Sequence, residues 1–221
     1  MNKTQSFATF LIVLGLIASG PASANFLNNP GFEAGAGADA DDWGEIVGGP
    51  SGTVERSSAM PDTGSFSAYL TVDHVNNPPA GGAYFIEQNQ GANTIPDNTV
   101  DYDLSFRAKV DSSNFEGIDM FAQIQWLDQD GSDGGGFKGE TLTSLIGLGI
   151  STSYQQFNLN DLDVSDGADS FLVRFQLSAG AVDNIQNGLY IDNVSLTPVP
   201  EPASMALVGL GCLAVVARRR R

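Results

Sequence analysis

Tyr102-Asp103-Leu104-Ser105-Phe106-Arg107-Ala108-Lys109-Val110 alternates apolar and polar side chains without a break. A period of two puts every second side chain on one face of an extended chain, so this stretch reads as a strand with one buried and one wet face. The same pattern returns in 171–177, where Phe171, Val173, Phe175 and Leu177 oppose Leu172, Arg174 and Gln176. Working outward, glycine and small polar residues separate further short runs rich in aromatic and β-branched residues. Strands are expected over 52–56, 67–72, 83–88, 102–110, 118–127, 155–159, 170–177 and 189–196. No stretch between the two chain ends has the 3.6-residue apolar period of an amphipathic helix. Eight or nine strands at these spacings, over about 174 residues, predict one all-β domain at 25–198, an antiparallel β-sandwich.

The two ends differ from this domain. Residues 1–24 have the layout of a secretory signal: Lys3 supplies the positive start, 7–18 is almost wholly apolar, and Ala22-Ser23-Ala24 is a small-x-small cleavage pattern for signal peptidase. An uncleaved anchor is the other reading, but the apolar run is well short of the ~20 residues a span needs. The chain of 221 residues has a formal charge of -16, with all but one carboxylate inside 25–198 against Arg56, Arg107, Lys109, Lys138 and Arg174. The domain is therefore near -20, a field that repels phosphate backbones and argues against nucleic acid, leaving divalent cations and neutral polymers as partners. Cys212, the single cysteine, lies in the tail, so the domain is expected to hold together without a disulfide.

Residues 199–221 carry the most specific pattern. Val199-Pro200-Glu201-Pro202 precedes an apolar run over 203–217 and then Arg218-Arg219-Arg220-Arg221. This arrangement closely resembles the PEP-CTERM sorting signal. The resemblance implies an exosortase in the inner membrane of a Gram-negative bacterium as processing partner, a short C-terminal hydrophobic helix inserted transiently, and release to the surface or outside the cell. The arginines resist transfer across a bilayer, and the proline pair keeps the preceding segment extended. A permanent single-pass transmembrane anchor is the alternative.

Within the domain, Asn28-Asn29-Pro30-Gly31-Phe32-Glu33, Trp43, Gly64-Ser65-Phe66-Ser67-Ala68-Tyr69-Leu70, 102–108 and Tyr190-Ile191-Asp192-Asn193-Val194-Ser195-Leu196 are similar to the galactose-binding-like jelly rolls of the carbohydrate-binding-module superfamily. The resemblance implies a jelly roll that often binds sugars. It also implies a structural calcium ion, with Glu33 and Asp192 meeting at one edge and backbone carbonyls completing the ligands. Calcium takes six to eight oxygens, and such a tie would support a domain without disulfides. Otherwise Glu33 is a surface residue beside a turn and Asp192 bonds a nearby loop.

Sugar recognition needs flat aromatic faces together with amide or carboxylate groups. Trp43, Tyr84, Gln88, Trp126 and Phe137 are the candidate contacts. Period two places Gln123 and Gln125 on one face of their strand and Trp126 on the other, which favours Trp126 as core. The acidic loop 128–136 lacks the glycine and glutamate positions of an EF-hand and reads as a hairpin connection. His74 is the single histidine and no nucleophile or zinc motif occurs, so no enzyme is expected. The reading is an exported structural or adhesive matrix protein that contacts extracellular polysaccharide, with a lectin-like module for a defined glycan as the alternative.

Overall fold

The computed structural model describes residues 24–199, apart from residue 93 and the stretches 96–99 and 132–134. Residues 1–23 of the expected signal segment, Pro200, Glu201, Pro202, the hydrophobic run, Cys212 and the four terminal arginines lie outside the described residues. Among the described residues no helix is long and apolar enough to cross a membrane.

Among the described residues twelve strands form in chain order: β1 Gly35–Ala36, β2 Asp39–Ala40, β3 Gly44–Val47, β4 Gly52–Ser57, β5 Ser67–Asp73, β6 Gly82–Asn89, β7 Tyr102–Val110, β8 Ile118–Asp128, β9 Gly136–Ser144, β10 Gln155–Leu162, β11 Ser170–Ala179 and β12 Gln186–Pro198. The tiny β1 and β2 pair with each other. The rest make two five-stranded sheets, ordered β10-β7-β12-β5-β4 (sheet I) and β3-β6-β11-β8-β9 (sheet II). Every pairing is antiparallel. The expected sandwich is what forms, with the opening stretch becoming β7.

Alternation decides what lies between the sheets. Leu104, Phe106, Ala108 and Val110 of β7 are fully buried, as are Met120, Ala122 and Ile124 of β8 and Val173, Phe175 and Leu177 of β11. Phe106 and Phe175 meet edge to face across the layers at 4.8 Å, and Tyr102 lies 5.8 Å from Trp126. At about 25 cal/mol per Å² of apolar area removed from water, this aromatic core is the main favourable term in a domain without a disulfide.

Strand β12 breaks its own alternation. Leu189 and Ile191 are buried, and then Val194 and Leu196, so the phase moves by one residue. Asn193 takes a positive φ of 52° and the register against β7 shifts between Asp192 and Ser195, which is a β-bulge. The bulge leaves Asp192 pointing away from the core, yet it is fully buried because the loop 62–66 lies over it. The chain start is tied to the same strand: the Phe26 amide donates to the Leu196 carbonyl at 2.9 Å and the Asn25 side chain donates to the Val194 carbonyl at 3.0 Å.

Candidate functional site

The outer face of sheet II gathers side chains from five strands by register alone. One row runs Ile46, Phe85, Gln176, Phe121 and Ser144 across β3, β6, β11, β8 and β9. The next runs Gly44, Glu87, Arg174, Gln123 and Leu142, and the third includes Asn89, Leu172, Gln125 and Glu140. Phe85 and Phe121 stand two strands apart, about 10 Å, with Gln176 between them.

The polar members of this face hold one another. The Arg174 Nε–H donates to Glu87 Oε2 at 2.6 Å, and its guanidinium carbon lies 4.8 Å from the centre of the Phe85 ring. Gln123 and Gln125 both donate to Glu140 Oε2, at 2.6 and 3.3 Å. Gln176 donates to the Ser178 hydroxyl. Arginine stacked on an aromatic ring and fixed by a carboxylate is a preorganised donor fork; Gln125, held by Glu140 at its amide nitrogen, presents its carbonyl in a set direction, whereas the buried Gln123 also accepts from Arg174 at 3.5 Å and is held at both ends. Half-buried rings beside fixed amides and a guanidinium suit a ligand with apolar ring faces and many hydroxyls.

Most of the candidate sugar contacts named from the sequence are not on this face. Trp126 is 1% exposed and packs in the core, which agrees with its opposite phase to Gln123 and Gln125. Tyr84 is fully buried, its hydroxyl seated among Gly49, Gly52 and Gly82, where any β-carbon would collide with the ring. Trp43 packs on Phe32 at 4.9 Å and donates its indole N–H to the Asn29 carbonyl at 3.1 Å. Gln88 is buried and exchanges two hydrogen bonds with the Asn28 backbone, so it pins the N-terminal segment to β6. Phe137, at the start of edge strand β9, is exposed. Sequence reading missed Phe85, Phe121 and Glu140 as surface partners of the two glutamines. The visible signal was the polar phase of β8 and β11, Gln123-x-Gln125 and Arg174-x-Gln176.

Glu33 and Asp192 do come to one place. Glu33 Oε1 accepts the Ser65 and Phe66 amides at 2.9 and 3.1 Å. Asp192 Oδ2 accepts the Asp62 and Thr63 amides at 2.9 and 3.1 Å, and Oδ1 accepts the Asn193 amide at 2.7 Å. A β-carbon on Gly31 would lie 3.7 Å from Asp192 Oδ1 and 3.9 Å from both Asn193 Oδ1 and the Glu33 side chain, so three oxygen-bearing side chains converge there. Burial raises the Asp192 carboxyl above its usual range, and the amides oppose this. The donor set is right in kind for calcium, because each carboxylate oxygen carries two lone pairs and the amides use only part of that capacity. The nearby carbonyls of Phe32 and Glu33 accept from Arg56, each at 2.6 Å, and are not free ligands.

The acidic loop after β8 is a hairpin connection to β9, as read from the sequence. Ligand atoms of Asp128, Asp130 and Asp169 lie within 4.8 Å of one another. Asp128 pairs with Lys138 at 3.3 Å and accepts the Gly131 amide, while Asp169 accepts the Gln129 and Asp130 amides. His74 is buried with Nδ1 2.8 Å from the Val182 carbonyl, a packing role.

The fold is an antiparallel β-sandwich similar to the jelly rolls of carbohydrate-binding modules. The described domain is similar in structure to a carbohydrate-binding module of the β-sandwich superfamily studied for promiscuous specificity, with a TM-score of 0.53 and 14% identity. That match covers 81% of this chain and 63% of the other, so the chain spans less than two thirds of that relative's length. The xylan-binding CBM22-1 domain of Paenibacillus barcinonensis Xyn10C aligns with a TM-score of 0.46 and 11% identity, over 83% of this chain and 99% of that one. The family 11 module of the Clostridium thermocellum cellulase Lic26A-Cel5E aligns with a TM-score of 0.47 and 13% identity, over 83% and 98%. At these identities the likeness concerns the fold. Comparison with curated proteins finds no match. For this particular chain the sequence-level finding is at its end: residues 198–221 match the PEP-CTERM protein-sorting motif.

Proposed function

We propose that this chain is an exosortase-sorted surface or matrix protein whose domain attaches, without catalysis, to extracellular polysaccharide through the outer face of sheet II. The observation that carries the reading is the row Phe85, Gln176, Phe121 with Arg174, Gln123 and Gln125 held beside it by Glu87 and Glu140. Sugar rings stack on the phenyl faces while the amides and guanidinium bond hydroxyls. A neutral polymer is the ligand class, since the domain's charge repels polyanions. The likeness in fold to a carbohydrate-binding module of the β-sandwich superfamily points the same way. A shallow contact of this kind binds weakly, roughly 4–6 kcal/mol, and many copies on a surface compensate by multivalency. Calcium at Glu33 and Asp192 belongs to the proposal as a tie between the chain ends and the loop 62–66. The PEP-CTERM match supports export and sorting, with signal peptidase and exosortase as processing partners and the tail in the inner membrane in transit. The deciding experiment is retardation of the exported protein in gels cast with neutral polysaccharides. Retardation clearly weakened in Phe121→Ala and Gln123→Ala is the expected result, and equal mobility of all forms in every polymer overturns it.

A further inference from the structure

We propose that the outer face of sheet I carries a second polysaccharide contact, built on Tyr69, Tyr154 and Lys109 over the buried Tyr190, so that one domain holds two polymer chains and cross-links them. The inference rests on the proposed function for the chemistry of the polymer; the site itself is separate and lies on the opposite side of the sandwich.

Register again assembles the row. Glu55 of β4, Tyr69 of β5, Tyr190 of β12 and Lys109 of β7 are direct neighbours, spanning roughly 14 Å across four strands. Tyr69 and Tyr190 stack at 4.3 Å with 22° between their planes. Tyr69 lies flat because Gly188 beneath it has no side chain; a β-carbon there would run into the Tyr69 ring and Asp111. Tyr154 joins from the turn before β10, and its hydroxyl donates to the Met60 carbonyl at 2.6 Å. The Tyr69 hydroxyl donates to Asp111 Oδ2 at 2.8 Å. Both rings are thus fixed in place and half-exposed.

Lys109 is the second observation. Arg56 donates to three carbonyls, Arg107 pairs with Asp62, Lys138 with Asp128 and Arg174 with Glu87. Among the described residues the Lys109 ammonium has neither an ion pair nor a hydrogen bond, although the domain is strongly acidic. It is held instead 5.0 Å from the Tyr190 ring and 5.9 Å from the Tyr154 ring. An ammonium with three unused donors beside tyrosine rings, on a face that also carries the carboxylates of Asp111 at the Tyr69 hydroxyl and Glu55 at the far end of the row, matches a hydroxylated ring that stacks on tyrosine, accepts from lysine and donates to carboxylate. The surrounding carboxylates select a neutral polymer over an anionic one.

The test uses the exported protein, shown to be monomeric by sedimentation, and latex beads coated with hydroxyethylcellulose as the neutral probe. A two-faced binder agglutinates such beads, whereas a one-faced monomer only coats them. Lys109→Met keeps the apolar stem over the rings and removes the ammonium; Tyr154→Ala removes a ring; the melting temperature of each variant checks folding. The expected result is a fall of about tenfold or more in agglutination titre for both variants while bead binding through sheet II persists. Phe121→Ala, on the other face, also stops agglutination and leaves residual binding that Lys109→Met then removes. Undiminished agglutination by Lys109→Met and Tyr154→Ala overturns the second contact. Loss of all binding in Phe121→Ala overturns it too and leaves the sheet II site standing. Binding that survives Phe121→Ala unchanged but vanishes in Lys109→Met overturns the sheet II reading instead, and absence of bead binding by the natural protein overturns both.

Discussion

Glu33, from the first turn of the domain, and Asp192, from its last strand, hold opposite ends of one short loop: Glu33 takes the amides of Ser65 and Phe66, and Asp192 those of Asp62 and Thr63. The two ends of the chain are thereby joined through a third segment. Truncating Glu33 to alanine removes a charged acceptor from two exposed amides that water then reaches, at a cost of about 0.5–1.5 kcal/mol. A calcium ion bound only by the fold adds RT ln(1 + [L]/Kd), roughly 2.7 kcal/mol at a hundredfold excess. The melting temperature of the exported protein should therefore fall when a chelator replaces calcium, and Glu33→Ala should respond far less. Superimposable melting curves in calcium and in chelator would show that amides alone hold the loop.

Asp192 gives this edge a pH dependence. Burial raises its carboxyl above the ordinary 3.8, against three amide bonds that lower it. A carboxyl whose folded pKa exceeds its unfolded one keeps its proton longer in the fold, so its contribution is fully present below the unfolded value and is lost as pH rises through the folded one. In chelator, the stability of the natural protein relative to Asp192→Asn should fall as pH rises from below 3.8 and then level off. A difference that grows with pH over that window contradicts the assignment.

Surface and core aromatics of sheet II should separate cleanly. Phe121→Ala is expected to weaken polysaccharide retardation, leaving only the contact on sheet I, with little change in melting, because the ring is on the outer face. Trp126→Ala, one residue type larger and wholly inside, should cost about 3–5 kcal/mol and lower the melting temperature sharply. Equal melting temperatures for the two variants would mean that the faces are misassigned.

The sorting tail has its own test. Alanines at Pro200, Glu201 and Pro202, within the matched motif, should leave the protein in the inner membrane with its tail attached. Normal release of a tail-less product from that mutant, seen on fractionation, is the outcome that removes the motif from the sorting step.

Catalysis is not expected from this domain: His74 is buried on a backbone carbonyl. Purified protein should release no reducing sugar from any polysaccharide it retards. Release that is abolished by changing one Asp or Glu would make the domain an enzyme.

Strand β7 was readable to the residue because its alternation is complete and its neighbours on both sides bury one phase. Strand β9 was not, since Gly136–Ser144 is half-exposed or exposed at every position, and an edge strand with no buried phase carries no period. Its existence comes from pairing with β8. The short β3 was missed for the same reason. The separation of Trp126 from Gln123 and Gln125 needed only local geometry, and so did the sorting motif at 198–221, which is a pattern of consecutive residues. What joins Phe85 to Phe121, Arg174 to Glu87, and Glu33 to Asp192 is register across strands far apart in the chain, together with one extra residue at Asn193 that rotates Asp192 out of the core. The amino-acid sequence by itself determined the class of fold and the sorting tail, because periodicity and motifs are local. Only the tertiary structure decided which polar phases face each other across neighbouring strands, because a shift of one residue in any pairing moves a side chain to the opposite face.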